Sequence, residues 1–206
     1  MKRKPGHEKR NFSGFDVKNA MQALSLLELN EWHIDFQLVA PTPLFHENME
    51  RLKHFDLSST ERAKELIIDE IFKEALAGES ALKIWKAAPL SSNDLTGEAD
   101  YLIAPKRRYL ATPLLCVAEA KRDDFEKGLA QCLVEMKACR DNNAQDGHLI
   151  DVYGIVTNGS GWVFYWFDLE NQVWETVMYS LANIDQLLGV LGYIFGKCEE
   201  NIARLA

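Results

Sequence analysis

An α/β fold with a mixed sheet is what this sequence predicts, on three observations. Stretches of helical apolar period open, interrupt and close the chain. Short runs of β-type residues bounded by glycine, proline and asparagine lie between them. One of those runs, residues 114–121, is apolar on both faces, as a strand in the middle of a sheet must be. The length of 206 residues, 47% hydrophobic and 26% charged, suits one domain with an appendage and excludes a disordered chain. No period of 20–50 residues repeats, which excludes a solenoid.

Taken in order, residues 1–14, with Pro5, Gly6 and Gly14, form a lead-in. Val17, Ala20, Met21, Leu24, Leu27 and Leu29 follow at helical spacing behind Asp16, a candidate N-cap. Residues 31–46, with Trp32, Ile34, Phe36, Pro41 and Pro43, are expected to be an extended or irregular connector. Ser58 and Glu61 have capping-box spacing and open a helix that runs to Ala77 and closes at Gly78. Strands are expected at 82–85, 98–103 and 114–121, then a helix over 124–140 with Phe125, Gly128, Leu129, Cys132, Leu133, Met136 and Cys139 along one side. Further strands fall at 153–157, 162–167 and 174–179, and a last helix from Asn183 carries the apolar run to Phe195. The chain thus divides into an N-terminal helical extension, 1–57, and an α/β domain, 58–206.

Composition also limits function. The net charge is −8, against a protein that coats nucleic acid without specificity, which would be basic. Local charge differs: the first ten residues carry five basic groups against Glu8, and Lys106, Arg107 and Arg108 form a second basic knot. Cys116, Cys132, Cys139 and Cys198 show no paired spacing, which points away from a disulfide framework or a zinc ribbon. A charged N-terminus without an apolar run, and no stretch near the roughly 18 apolar residues of a membrane span, predict a cytoplasmic chain. The five histidines are scattered, and no phosphate-cradling glycine loop is present. The aromatic run Trp162–Phe167 could stack bases, but strand core is the simpler use of it.

The chemistry-bearing residues lie in the middle of the chain. Glu119 and Lys121 stand two apart at the end of a strand and therefore leave it on one face. Asp100, three residues after Gly97 on the preceding strand, reaches that surface if the strands are neighbours. Two carboxylates there would bind a hard divalent cation through oxygen, and the ammonium could stabilise charge on a phosphorus centre. E-x-K also occurs wherever a strand simply exits into solvent with a weak ion pair.

Glu61 on an opening helix, G-x-x-D at 97–100, E-A-K at 119–121 and Gln131 on the next helix together resemble the PD-(D/E)XK nuclease superfamily. The likeness covers roughly residues 58–167 and is nearest to the nuclease modules of restriction enzymes; Thr60-Glu61-Arg62 is also similar to the opening of archaeal Holliday-junction resolvases. Asp100 departs from the family pattern in following Glu98-Ala99 rather than proline. The resemblance implies a restriction-endonuclease-like αβββαβ core, with extra C-terminal strands and helix. It implies Mg²⁺ or Mn²⁺ held by Asp100, Glu119 and Glu61, with Lys121 as the catalytic lysine and Gln131 beside it. Among the acids of the first core helix, Glu61 and then Glu74 flank its apolar face, whereas Glu65 and Glu70 lie further round and Asp69 almost opposite. The implied activity is hydrolysis of DNA, or RNA, phosphodiester bonds in restriction or repair, by a homodimer where both strands are cut. The alternative is the same fold without activity, serving as a binding or regulatory partner.

Overall fold

Side-chain oxygens open four of the five α-helices in the described residues. The computed structural model describes residues 9–57, 59–121 and 124–205. In it Asp16 accepts from the Asn19 amide, Thr42 from Phe45, Thr60 from Ala63 and Asp124 from Lys127. Each cap satisfies a donor that the first helical turn leaves over. The helices are α1 (Val17–Ala23), α2 (Pro43–Leu52), α3 (Glu61–Ala75), α4 (Phe125–Gln145) and α5 (Ile184–Leu205).

One mixed sheet carries every strand described: β1 (Arg10–Asn11), β2 (Asn30–Glu31), β3 (Leu82–Ser91), β4 (Leu95–Pro105), β5 (Cys116–Ala120), β6 (Val152–Thr157), β7 (Gly161–Phe167), β8 (Val173–Glu175) and β9 (Tyr179–Ser180). Its order is β1-β4-β5-β6-β7-β8-β2, with β3 on the outer side of β4 and β9 against β7. β5 and β6 run parallel, joined by α4; β3–β4, β4–β5, β6–β7 and β7–β8 are antiparallel. Every residue of β5 is buried, which is why its sequence is apolar on both faces. The mixed α/β class expected from the sequence is the class observed. Among the described residues no helix is long and apolar enough to cross a membrane.

Two cores flank the sheet. α1 and α4 build one with Leu102, Val117, Val156 and Tyr165. α2, α3 and α5 build the other with Tyr101, Ile103, Cys116, Ala118, Trp162 and Phe164. Trp162 and Phe164 are therefore core, Trp162 lying 5.6 Å from the Phe72 ring, and are closed to any base. Because Val117 faces α4 and Ala118 faces α3, alternation sends Glu119 and Lys121 toward α4.

β3 and β4 carry a kink that matters for the site. Ala87 has φ +47°, a left-handed conformation that costs an L-residue about 1–2 kcal/mol. Ladder pairs flank it, Lys86 with Tyr101 and Ala88 with Ala99, so Ala87 sits opposite Asp100. In a regular strand Ala99 and Tyr101 would share a face. Here Ala99 belongs to the α4 core and Tyr101 to the α3 core, so the ribbon exchanges faces at Ala87 and Asp100.

Several elements differ from expectation. α1 ends at Ala23 rather than Leu29, because Ser25 turns left-handed at φ 58° and the Leu26 amide returns to Met21. The connector expected over 31–46 already contains the start of α2: Pro43 occupies the first turn, where its missing N–H costs nothing. The strand expected at 174–179 is split into β8 and β9, since Thr176 exchanges bonds with Phe164 and turns Val177 and Met178 outward. β3 is longer than expected, running on to Ser91. Thr60 caps α3; the expected cap at Ser58 lies outside the described residues. The described part of the N-terminal extension, residues 9–57, also joins the sheet, β1 beside the start of β4 and β2 against β8.

Candidate active site

The ladder between β4 and β5 stops at Tyr101 and Ala118. One step further, where Asp100 and Glu119 would pair, the kink turns Asp100 edgewise. Its Oδ2 accepts the Ala120 amide at 2.8 Å, so a side chain takes over where the backbone ladder ends. This places Asp100 in the wall of an open cleft of about 350 Å³, with Glu61, Arg62, Glu65, Lys86, Ala87, Glu98 and Ala120. Burial first, and the charge of Glu119 second, push the Asp100 pKa up to about 6, against the pull of the Ala120 amide and Lys121.

Lys121 joins the two acids expected to share the site with it. Its Nζ lies 2.7 Å from Glu119 Oε2 and 4.0 Å from Asp100 Oδ2. Burial works against its charge, but the charge and hydrogen bond of Glu119, with Asp100 and Glu61 behind, outweigh it and raise its pKa. Lys121 is thus an ammonium, suited to stabilising negative charge and not to taking up a proton. α4 approaches it closely because residue 128 is glycine: a Cβ there would meet Val156 Cγ1 at 2.5 Å and Lys121 Cγ at 3.0 Å.

Glu119 is buried, and one further group lies near it, which the sequence reading did not single out. Glu135 on α4 is fully buried, and the charge of Glu119 acts on it. Burial, and then the charge of Glu119, push Glu135 well above the ordinary carboxyl range. A signal was present: Glu135 is seven residues from Gly128 and four from Cys139, inside the stripe that faces the sheet.

The other expected residues fall as follows. Glu61, at the start of α3, lines the cleft with Asp100, and its charge acts on Lys121. Glu74 is spent elsewhere, accepting from the backbone N and Oγ1 of Thr42 at the head of α2. Asp69, expected on the solvent side of α3, instead accepts from the buried Tyr101 hydroxyl and pairs with Lys86. Glu65 pairs with Lys86 as well. Gln131 is half-buried on α4, between Gly128 and Glu135 in sequence and on their side of the helix. The basic knot at 106–108 follows the end of β4 that pairs with the start of β5, the opposite end from Lys121. Of the N-terminal basic run, residues 1–8 lie outside the described residues, and Lys9 is bonded to Ser91.

Among the described residues no group of three or more His, Cys, Asp or Glu side chains is gathered so as to hold a metal ion. The donors present are two carboxylates, Asp100 and Glu119. Both are hard oxygen donors of the kind that a magnesium ion takes, one or two to an ion that keeps several of its waters. Apart from the Lys121 ammonium, Glu119 receives no hydrogen bond from any described donor.

No family model, no curated protein and no solved structure matches this chain.

Proposed function

We propose that the chain is a divalent-metal-dependent phosphodiesterase of restriction-endonuclease-like type, acting on DNA. The observation that carries this reading is the placement of one buried ammonium 2.7 Å from Glu119 and 4.0 Å from Asp100, an acid in the wall of an open cleft. In its favour stands the chain order α3, β3, β4, β5, α4, β6, with Asp100 at the kink midway along β4 and Glu119 near the end of β5.

Asp100 and Glu119 would hold Mg²⁺ or Mn²⁺, which supplies Lewis-acid charge at a phosphate oxygen when bound. Lys121, fixed against Glu119, would stabilise the charge that builds on phosphorus as the bond to the leaving oxygen breaks. Glu61, exposed at the cleft, would orient a water, and Gln131 would support the α4 side of the site. Cutting both strands of a duplex with one site per chain calls for a homodimer.

The test pairs Asp100→Asn with wild type. Asparagine keeps an oxygen for the Ala120 amide and removes one of the repelling charges, so melting temperature should hold or rise. Wild type should cleave plasmid DNA with Mg²⁺ or Mn²⁺ and gain melting temperature with Mn²⁺; the variant should do neither. Wild type that cleaves neither DNA nor RNA, and gains no stability with Mn²⁺, overturns the reading.

A second reading, the same fold binding without cutting, draws on the ion pair that already occupies Glu119 and on the acidic cleft, where Glu61, Glu65, Glu98 and Asp100 outnumber Arg62 and Lys86. Stable Mn²⁺ uptake without cleavage of any nucleic acid would favour it.

A further inference from the structure

β3 pairs only with β4, and among the described residues no strand lies beyond it. The Lys106 amide donates to the Ala81 carbonyl at 2.6 Å, and the Leu115 amide donates at 3.0 Å to Ile103, the residue opposite Ile84. Antiparallel bonding alternates, so Lys83 and Trp85 bond inward to β4. Ile84 and Lys86 direct their amides and carbonyls outward, where no described group meets them. The Leu82 amide is taken by Ser80 Oγ at 3.1 Å. We propose that this edge, Leu82 to Lys86, is a docking site for an extended acidic segment of a partner protein, added to the sheet as a further strand.

Three further observations choose the occupant. First, Leu82 and Ile84 turn their side chains toward α3, and beside them lies an open groove of about 400 Å³ walled by Phe72, Leu76 and Tyr101. A strand laid along the edge sets every second side chain against that groove, which takes apolar residues. Second, the surrounding cations lack partners. The Lys83 ammonium sits 4.1 Å over the Trp85 ring and donates only to the Arg107 carbonyl, and Lys106, Arg107 and Arg108 follow the end of β4 that pairs with Leu82. Among the described residues none of these cations pairs with a carboxylate, in a chain of net charge −8. Acids between the apolar residues of the incoming strand supply what is missing. A second copy of β3 would set the same lysines against themselves, and a phosphate backbone, which only accepts, would leave the outward carbonyls and the apolar groove unmatched. Third, Ala87 at φ +47° and then Pro89 end the usable edge, so the added strand has a fixed stop. Nothing in this assignment depends on metal binding: Lys86 stands between the groove and the cleft of Asp100.

Fluorescence anisotropy with the full chain tests the site, using a labelled peptide of alternating glutamate and valine about six residues long. Wild type should bind it saturably, and at least about tenfold more tightly than a peptide of alternating lysine and valine. Methylating the peptide's own amides probes strand addition without altering the protein. Of the valine and glutamate amides, the set that faces β3 should lose about tenfold or more in affinity when methylated, and the other set should lose little. Reversing exposed charge with Lys106→Glu and Arg108→Glu together should weaken the glutamate peptide by about tenfold, with melting temperature unchanged. No binding to wild type, equal binding of the two peptides, or equal effects of the two methylations overturns the proposal. So does duplex DNA that displaces the peptide and itself loses affinity in the Lys106→Glu, Arg108→Glu variant, which would assign this corner to nucleic acid.

Discussion

Two lysines, one on β3 and one just past the end of β5, each stand between two acids, with opposite results. Lys86 on β3 reaches Glu65 at 3.0 Å and Asp69 at 2.9 Å, and its side chain is 43% exposed. Lys121 at the end of β5 reaches Glu119 at 2.7 Å and Asp100 only at 4.0 Å, with its side chain 10% exposed. The first cluster is evenly satisfied: both acids belong to α3, and the lysine ties that helix to the edge of the sheet. The second is lopsided, one acid tightly held and the other slack, with the slack one turned toward solvent in a cleft. Even pairing consumes charge for structure. Lopsided pairing leaves a half-buried carboxyl group in the cleft wall that holds its proton more tightly than a free aspartate does.

The contrast can be broken most directly by removing each ammonium in turn. Lys121→Met leaves Glu119 buried without its counter-charge and should cost about 3–5 kcal/mol of unfolding free energy. Lys86→Met removes a partly exposed partner and should cost about 1 kcal/mol or less. Urea denaturation of the two variants measures the gap, and equal losses would erase the distinction between the clusters.

A smaller effect sharpens the slack side. Asp100 has its pKa raised from 3.8 to about 6, so the folded chain keeps a proton there that the unfolded chain has already released. The stability this proton provides is complete below pH 3.8 and is lost as pH rises through about 6. Discounted for the exposed part of the side chain, the loss should be on the order of 1–2 kcal/mol. Urea midpoints recorded from pH 4 to pH 7 should therefore decline more steeply in wild type than in Asp100→Asn; parallel curves would mean the carboxyl group is not strained.

The smallest effect tests how Asp100 comes to be turned. Ala87→Gly relieves the left-handed backbone at φ +47° while loosening the unfolded chain, so the net gain in stability should be about 1 kcal/mol or less. Unfolding by urea resolves its sign, and a loss would show that the alanine methyl contributes packing which outweighs the strain.

How much of this was legible beforehand depended on whether a residue's signal was local. β5 announced its central place by being apolar on both faces, and Glu119 and Lys121 announced their shared face by standing two apart. The capping role of Asp16 was equally plain. Ala87 gave no warning, since alanine carries no preference for positive φ, and the exchange of faces at Asp100 arises only when β3 and β4 pair. Glu135 was hidden by the rule that acids on a helix face water: α4 is buried over 132–136 without a break, so its wheel has no polar side at that height. Glu74 was misjudged because the flank of α3 that it occupies is covered by the head of α2, a helix announced only by Thr42 followed by proline.

The way the first residues are seated has a practical outcome. Phe12, Trp32 and Phe45 are all but covered by later parts of the chain, and β1 and β2 fasten to strands at well-separated places in the sheet. They behave as a fitted cover. A chain begun at residue 58 would open three aromatic berths to water at once, and such a fragment should form larger aggregates on a sizing column than the full chain.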